Sequence, residues 1–261
     1  MTPILRTAYA AALYLLLGQA AHAQWQAGIG IGTRAVTHTE YDTSGRRLVR
    51  ESGWLPGLAL QAGYRAGDLA WFAGADGYRG DIDYRGRSQA GVGAASTTAT
   101  RFTAGRIGAT YALAYGMSLL AAVEAERWRR DIQGTGNAAG LQEVYRSRRL
   151  MLGASRAWQP PVGQLASDAA AVLAAPERLR VGFSGLLDPT AFATRRGHGV
   201  RLGAALRPAA APSLEVRGQY DWIKTPRSAD APLSYQGQLA GTVAQPEHIR
   251  QAFTITLSTL F

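Results

Sequence analysis

The sequence predicts an all-β protein, a transmembrane antiparallel up-and-down β-barrel of about ten strands, with eight and twelve as the neighbouring counts. Three observations carry this. Apolar residues alternate with polar or small ones in about ten separate runs, the period-2 signature of strands with one apolar face. The last run ends on an aromatic residue, Phe261. After residue 23 no stretch is apolar enough for a membrane helix, which needs roughly 20 residues, so any crossing falls to strands in a closed barrel.

At the amino terminus, Arg6 precedes an apolar run from Ala8 to Leu17, and Ala21-His22-Ala23 follows as a small-x-small pattern. This organisation predicts a secretory signal peptide over residues 1–23, cleaved before Gln24. The apolar run is too short to anchor the chain, since a spanning helix needs roughly 20 residues. Residues 24–261 are then a single barrel domain. The chain has no cysteine, which excludes a disulfide-stapled scaffold and thiolate chemistry.

The first run, Trp25 to Val36, sends Trp25, Ala27, Ile29, Ile31 and Thr33 outward and Gln26, Gly28, Gly30, Gly32 and Arg34 inward. Its Gly-x-Gly pattern is strand rather than phosphate loop, because no helix follows and no acidic residue stands at the required distance. Trp54–Arg65 turns through Ala66-Gly67-Asp68 into Leu69–Arg79. Arg101–Ala114 turns at Tyr115-Gly116 into Ser118–Arg130. Runs at Tyr145–Trp158, Arg178–Asp188, Gly199–Arg207 and Leu214–Ile223 follow. Gln159–Pro176 reads as a long inner connection in which Gln164–Ala175 favours helix, with a short strand as the alternative.

In the closing run Ile249, Phe253, Ile255, Leu257, Thr259 and Phe261 share one face, while Arg250, Thr254, Thr256 and Ser258 share the other. As the edge of a soluble sheet it would leave unpaired backbone beside exposed Phe and Leu; as the last strand of a membrane barrel it places them in lipid. The segment resembles the carboxy-terminal signal of Gram-negative outer-membrane β-barrel proteins, carried here by Phe253, Ile255, Leu257 and Phe261. The resemblance is to the broad porin-like and small outer-membrane-protein class over the whole chain after residue 23. It implies an outer-membrane location and the barrel-assembly machinery as a partner. Trp25, Tyr64, Trp71, Tyr111, Tyr115 and Trp158 near the inner turns, and Trp54, Trp128 and Trp222 toward the outer ends, read as two aromatic girdles.

The formal net charge is +10, which suits three kinds of partner: nucleic acid, acidic solutes and lipopolysaccharide phosphates. Nucleic acid is set aside, since no binding motif is present and an exported barrel does not meet it routinely. Alternation sends Arg34, Asp76, Arg106, Glu124, Glu126, Arg180, Arg201, Glu215, Arg217, Asp221 and Arg250 into the lumen. With cations and carboxylates nearly matched, two readings stay open. The groups fill the lumen as Arg–carboxylate forks that stiffen the barrel, or the arginine excess lines a narrow, weakly anion-selective pore. Outside, Arg127, Arg129, Arg146 and Arg148 are expected to face the outer leaflet, where lipopolysaccharide phosphates offer bidentate partners.

One enzymatic alternative stands beside these. Asp81 and Asp83 could meet Asp188 or His198 across the barrel mouth, an arrangement similar to that of omptin proteases, which are ten-stranded barrels that activate water between an Asp pair and an Asp–His pair. Omptins carry their Asp and His as Asp-x-His; here Asp188 and His198 are ten residues apart, and alternation turns Asp81 and Asp83 outward unless a bulge reverses the phase. The scattered histidines lack zinc-ligand spacing, and no Gly-x-Ser-x-Gly elbow occurs. No metal or cofactor is expected.

Overall fold

The computed structural model describes residues 24–87, 93–136 and 139–261; the expected signal segment lies outside the described residues. In chain order the strands are β1 (Gln24–Tyr41), β2 (Arg47–Ala66), β3 (Leu69–Arg87), β4 (Gly93–Ala112), β5 (Met117–Ile132), β6 (Leu141–Trp158) and β7 (Gly163–Ala174). They continue as β8 (Arg178–Gly182), β9 (Thr190–Ala193), β10 (Gly197–Pro208), β11 (Leu214–Thr225), β12 (Ala231–Tyr235), β13 (Gln238–Val243) and β14 (Glu247–Leu260). Around the wall the order is β5-β4-β3-β2-β1-β14-β11-β10-β7-β6, and β5 pairs with β6 to close it. The neighbours are antiparallel, and the ten-stranded barrel expected from the sequence is the fold.

The first and last strands meet at the seam. β1 and β14 pair from Gly28↔Leu260 to Tyr41↔Glu247, and beyond that register Phe261 N–H donates to Ala27 O at 2.8 Å while Ala27 N–H donates back to Phe261 O at 3.2 Å. The inward glycines of β1 permit this approach: a Cβ on Gly30 would stand 2.3 Å from Ser258 Oγ, and one on Gly32 2.5 Å from Ile255 O. Short turns cluster at one end. Gly67 (φ 60°) lies between β2 and β3, and Tyr115 (φ 59°) and Gly116 (φ 72°) lie between β4 and β5.

The outward face carries the lipid belt. Ile29, Ile31, Leu58, Leu60, Ile107, Leu119 and Leu257 are exposed large apolar residues on the barrel wall, which in water would be a costly patch and in hydrocarbon is the required surface. At its inner edge Trp25, 76% exposed, packs its ring 4.6 Å from that of Tyr64. Trp128 departs from the girdle expectation. It is 1% exposed and faces the interior, since it lies on the same side of β5 as the buried Glu124, Glu126 and Arg130. There it stacks between Phe102 (5.0 Å) and Tyr145 (5.1 Å).

The segment around residues 159–188 corrects the sequence reading. Gly163–Ala174 is strand, not helix, and Arg178–Gly182 is its continuation rather than a separate wall strand. β6 pairs Arg149 with Ala174 on β7 and Arg146 with Arg178 on β8, so four residues are used against three. That one-residue excess around Pro176, which has no N–H to donate, is a β-bulge. β9 and β10 carry the matching interruption, with Arg178↔Ala193 on one side and Gly197↔Ala174 on the other. Omitting β7 and counting its upper part separately left the total at ten.

Candidate functional site

The outer half of the interior is filled by side chains that reach across it. Arg130 on β5 is the hub of the upper layer. Its guanidinium lies 2.7 Å from Glu51 on β2, 2.6 Å from Glu143 on β6 and 3.6 Å from Glu40 on β1. Thr98 donates its hydroxyl to Glu51 at 2.6 Å, and Tyr145 donates to Glu143 at 3.0 Å. Gln245 donates to Glu40 at 2.9 Å, while His38 Nε2 lies 3.0 Å from the same carboxylate oxygen. Such charge-assisted contacts are what allow ionised groups to remain buried.

Beneath this layer Glu126 gathers Arg149 (3.0 Å), Arg250 (2.8 Å) and Arg34 (3.6 Å). Arg149 also holds Glu124 at 2.8 Å; Glu124 meets Arg201 at 2.8 Å, and Arg201 Nε lies 2.5 Å from Asp221. Glu177, brought inward by the bulge, accepts from Ser147 and lies 3.1 Å from His248 Nε2. Aromatic faces complete the packing: Arg130 and Arg250 stand 4.9 and 5.3 Å from the Trp128 ring centroid, and Arg34 stands 4.8 Å from that of Phe102, within cation–π range. Among the described residues, seven buried carboxylates here face five buried arginines. His38 and His248 stand beside Glu40 and Glu177, on the carboxylate side of the imbalance.

Of the residues assigned to the lumen from the sequence, Arg34, Glu124, Glu126, Arg201, Asp221 and Arg250 belong to this network, and Glu215 and Arg217 lie below it. Arg106 donates to Gln219 at 3.1 Å across the lower lumen. Asp76 is half-buried on the inward side of β3. Arg180 does not join them: the bulge before β8 reverses the parity, so Leu179 and Val181 turn inward and Arg180 outward. The alternation extended past Val36 and Trp54 would have found Glu40 and Glu51. Glu177 was hidden by the parity change itself.

On the outer wall Arg129 and Arg146 are exposed and Arg127 and Arg148 stand on the same outward face of β5 and β6. Arg127 and Arg146 are cross-strand partners, and Arg79, Arg101 and Arg129 follow one another in register on β3, β4 and β5. Like charges directly opposite are unfavourable unless an anion lies between them. The four residues of the protease-like alternative are not brought together. Asp81 and Asp83 are exposed on the outer wall, Asp188 accepts the Gly237 N–H at 2.8 Å, and exposed His198 packs 6.1 Å from Trp222.

A closed barrel of ten antiparallel strands wrapped in an apolar belt is the architecture of outer-membrane β-barrel proteins, and the chain has that fold. No protein-family model matches the sequence, and no curated protein matches it. Among solved structures it is similar to the outer membrane protease OmpT from Escherichia coli, with a TM-score of 0.58 and 10% identity over 91% of this chain and 96% of that one. The translocator domain of the autotransporter NalP from Neisseria meningitidis aligns with a TM-score of 0.48 at 10% identity, over 97% of each chain. At such identity the likeness to OmpT is one of fold.

Proposed function

We propose that this protein is a structural outer-membrane barrel with a sealed outer half, held in the outer leaflet by lipopolysaccharide phosphates on Arg127, Arg129, Arg146 and Arg148. The observation that supports sealing is the chain of contacts from Asp221 through Arg201, Glu124 and Arg149 to Glu126. Together with Arg250–Glu126 and Arg130–Glu51, it ties opposite walls of the lumen to one another. A conducting path lined by fixed charge needs those groups hydrated and unpaired across the pore; here each finds its partner on another strand. The outward arginines support the lipid contact, because guanidinium forks suit phosphate.

The test has three arms. Refolded protein in planar bilayers should give no stable openings; sustained anion-selective channels would favour the pore reading instead. Lipopolysaccharide retained through detergent purification should fall when Arg127 and Arg146 are both changed to Gln, and its binding should weaken with salt. Unchanged retention would remove the anchoring role. Fluorescent peptides added to the same preparation should stay uncleaved, and their release would return the hydrolase alternative.

A further inference from the structure

Below the plug the lumen is open. A cavity of about 350 Å³ runs from Arg201, Met151 and Ala170 down to Gly116 and Gln164, at the end where the short turns lie. It shares Arg65, Gln164, Arg207 and Glu215 with a mouth of about 610 Å³. Small inward residues make the space, among them Ala122, Ala166 and Ala170. In the plug above it carboxylates outnumber arginines and every arginine has a carboxylate partner; in this lower chamber the excess is of arginine. Among the described residues, Arg65, Arg106, Arg156, Arg207 and Arg217 line it against only Asp168 and Glu215, while Arg201 at its roof is engaged by Glu124 and Asp221.

Arg207 is paired with Glu215 at 2.9 Å, but two of the other arginines are less fully engaged. Arg217 is 34% exposed in its side chain, and its ion pairs are long, 3.4 Å to Glu215 and 3.5 Å to Asp168. Arg106 makes a neutral contact, donating to Gln219, which itself donates to Asp221 at 2.9 Å. The amide therefore fixes Arg106 against the rigid plug without neutralising it. A dead-end cleft with low-dielectric walls and one sign in excess concentrates counter-ions of the other sign, and its volume falls within the range of small-molecule sites, roughly 300–1,000 Å³.

We propose that this vestibule binds a small periplasmic polyanion bearing phosphate or carboxylate groups, with Arg106 and Arg217 as the residues that hold it. Titration calorimetry on refolded full-length protein, freed of lipopolysaccharide, tests this with pyrophosphate and citrate as probes at low salt. Binding of one or both is expected, and the stronger of the two names the anion class. The double variant R106Q/R217Q should bind at least about tenfold more weakly, given two lost charge-assisted contacts. R127Q/R146Q on the outer wall should bind as wild type. Should R106Q/R217Q fail to fold, arginine modification by phenylglyoxal decides the matter in the wild-type protein, where the bound probe is expected to protect Arg106 and Arg217. Absence of binding at millimolar probe, loss of binding in R127Q/R146Q alone, or protection confined to the outer-wall arginines would each overturn the proposal.

Discussion

Arg201 on β10 places Nη1 2.8 Å from Oε2 of Glu124 on β5, two strands separated along the wall by β7 and β6. The contact therefore crosses the lumen instead of following it. Because Arg201 also holds Asp221 and Glu124 also holds Arg149, one guanidinium couples three walls of the barrel.

Removing that guanidinium should be costly. Arg201→Met leaves Asp221 and Glu124 buried with one partner fewer, and breaking a buried pair from one side costs about 3–5 kcal/mol. Urea unfolding of the refolded barrel, followed by tryptophan fluorescence, should show a lower midpoint. An unchanged midpoint would mean that the network contributes little to stability.

Charge reversal should collapse the lumen rather than re-tune it. Changing Arg201 and Arg217 to Glu puts new carboxylates beside Asp221, Glu124, Glu215 and Asp168, where like charges repel strongly in a low-dielectric interior. Loss of the heat-modifiable folded form is expected on electrophoresis. A folded double variant with cation-selective conductance would show instead that these arginines line an open path.

Assembly should depend on the outward face of β14. Phe253, Ile255 and Leu257 are exposed on the belt, and a charge there costs up to about 2–4 kcal/mol for basic residues and less for acidic ones. The triple Asp variant should fail to reach the membrane as heat-modifiable protein. Deleting Phe261 removes both backbone bonds to Ala27 at the seam and should lower the yield of folded protein; wild-type yield would argue against a role for the terminal residue.

Acid should loosen the outer loops first. The Asp42 carboxyl is lowered to about 2, chiefly by the Ser44 hydroxyl and then by the Arg46 N–H, and Asp188 is lowered by the Gly237 N–H and the Ser234 hydroxyl. A carboxyl depressed in the fold stabilises it above its unfolded range and loses that contribution as pH falls through the folded value. Hydrogen exchange at Ser44 and Arg46 should therefore lose protection between about pH 4 and 2, and that at Gly237 as pH falls below the ordinary carboxylate range, before the wall strands do. Equal protection across that window would show that these carboxylates do not hold the loops.

The wall was legible because a membrane barrel repeats one simple rule: every second residue must tolerate lipid. That rule is local, so Ile29, Ile31, Phe253, Ile255 and Leu257 declared their side without knowledge of any neighbour. It also named Arg34, Glu124, Glu126, Arg201, Asp221 and Arg250, six of the network's twelve carboxylates and arginines among the described residues, since a residue that does not face lipid points inward; Arg130, Glu143 and Arg149 were not among the residues it assigned there.

What sequence alone determined was the class of fold and the side of the wall on which most residues stand; the count of ten rather than eight or twelve was settled by the pairing of β7 with β6 and β10. Tertiary structure decided the rest, because the remaining choices depend on partners far apart in the chain. Parity survives only until a bulge, so Arg180 moved outward and Glu177 inward across Pro176. Trp128 became the centre of a stack only when Phe102 and Tyr145 closed on it from neighbouring strands. Whether Arg201 and Arg217 pair or stay free turned on the distance across the lumen to Glu124, Asp168 and Glu215. That distance is fixed by barrel closure, a property of all ten strands together and of no one segment.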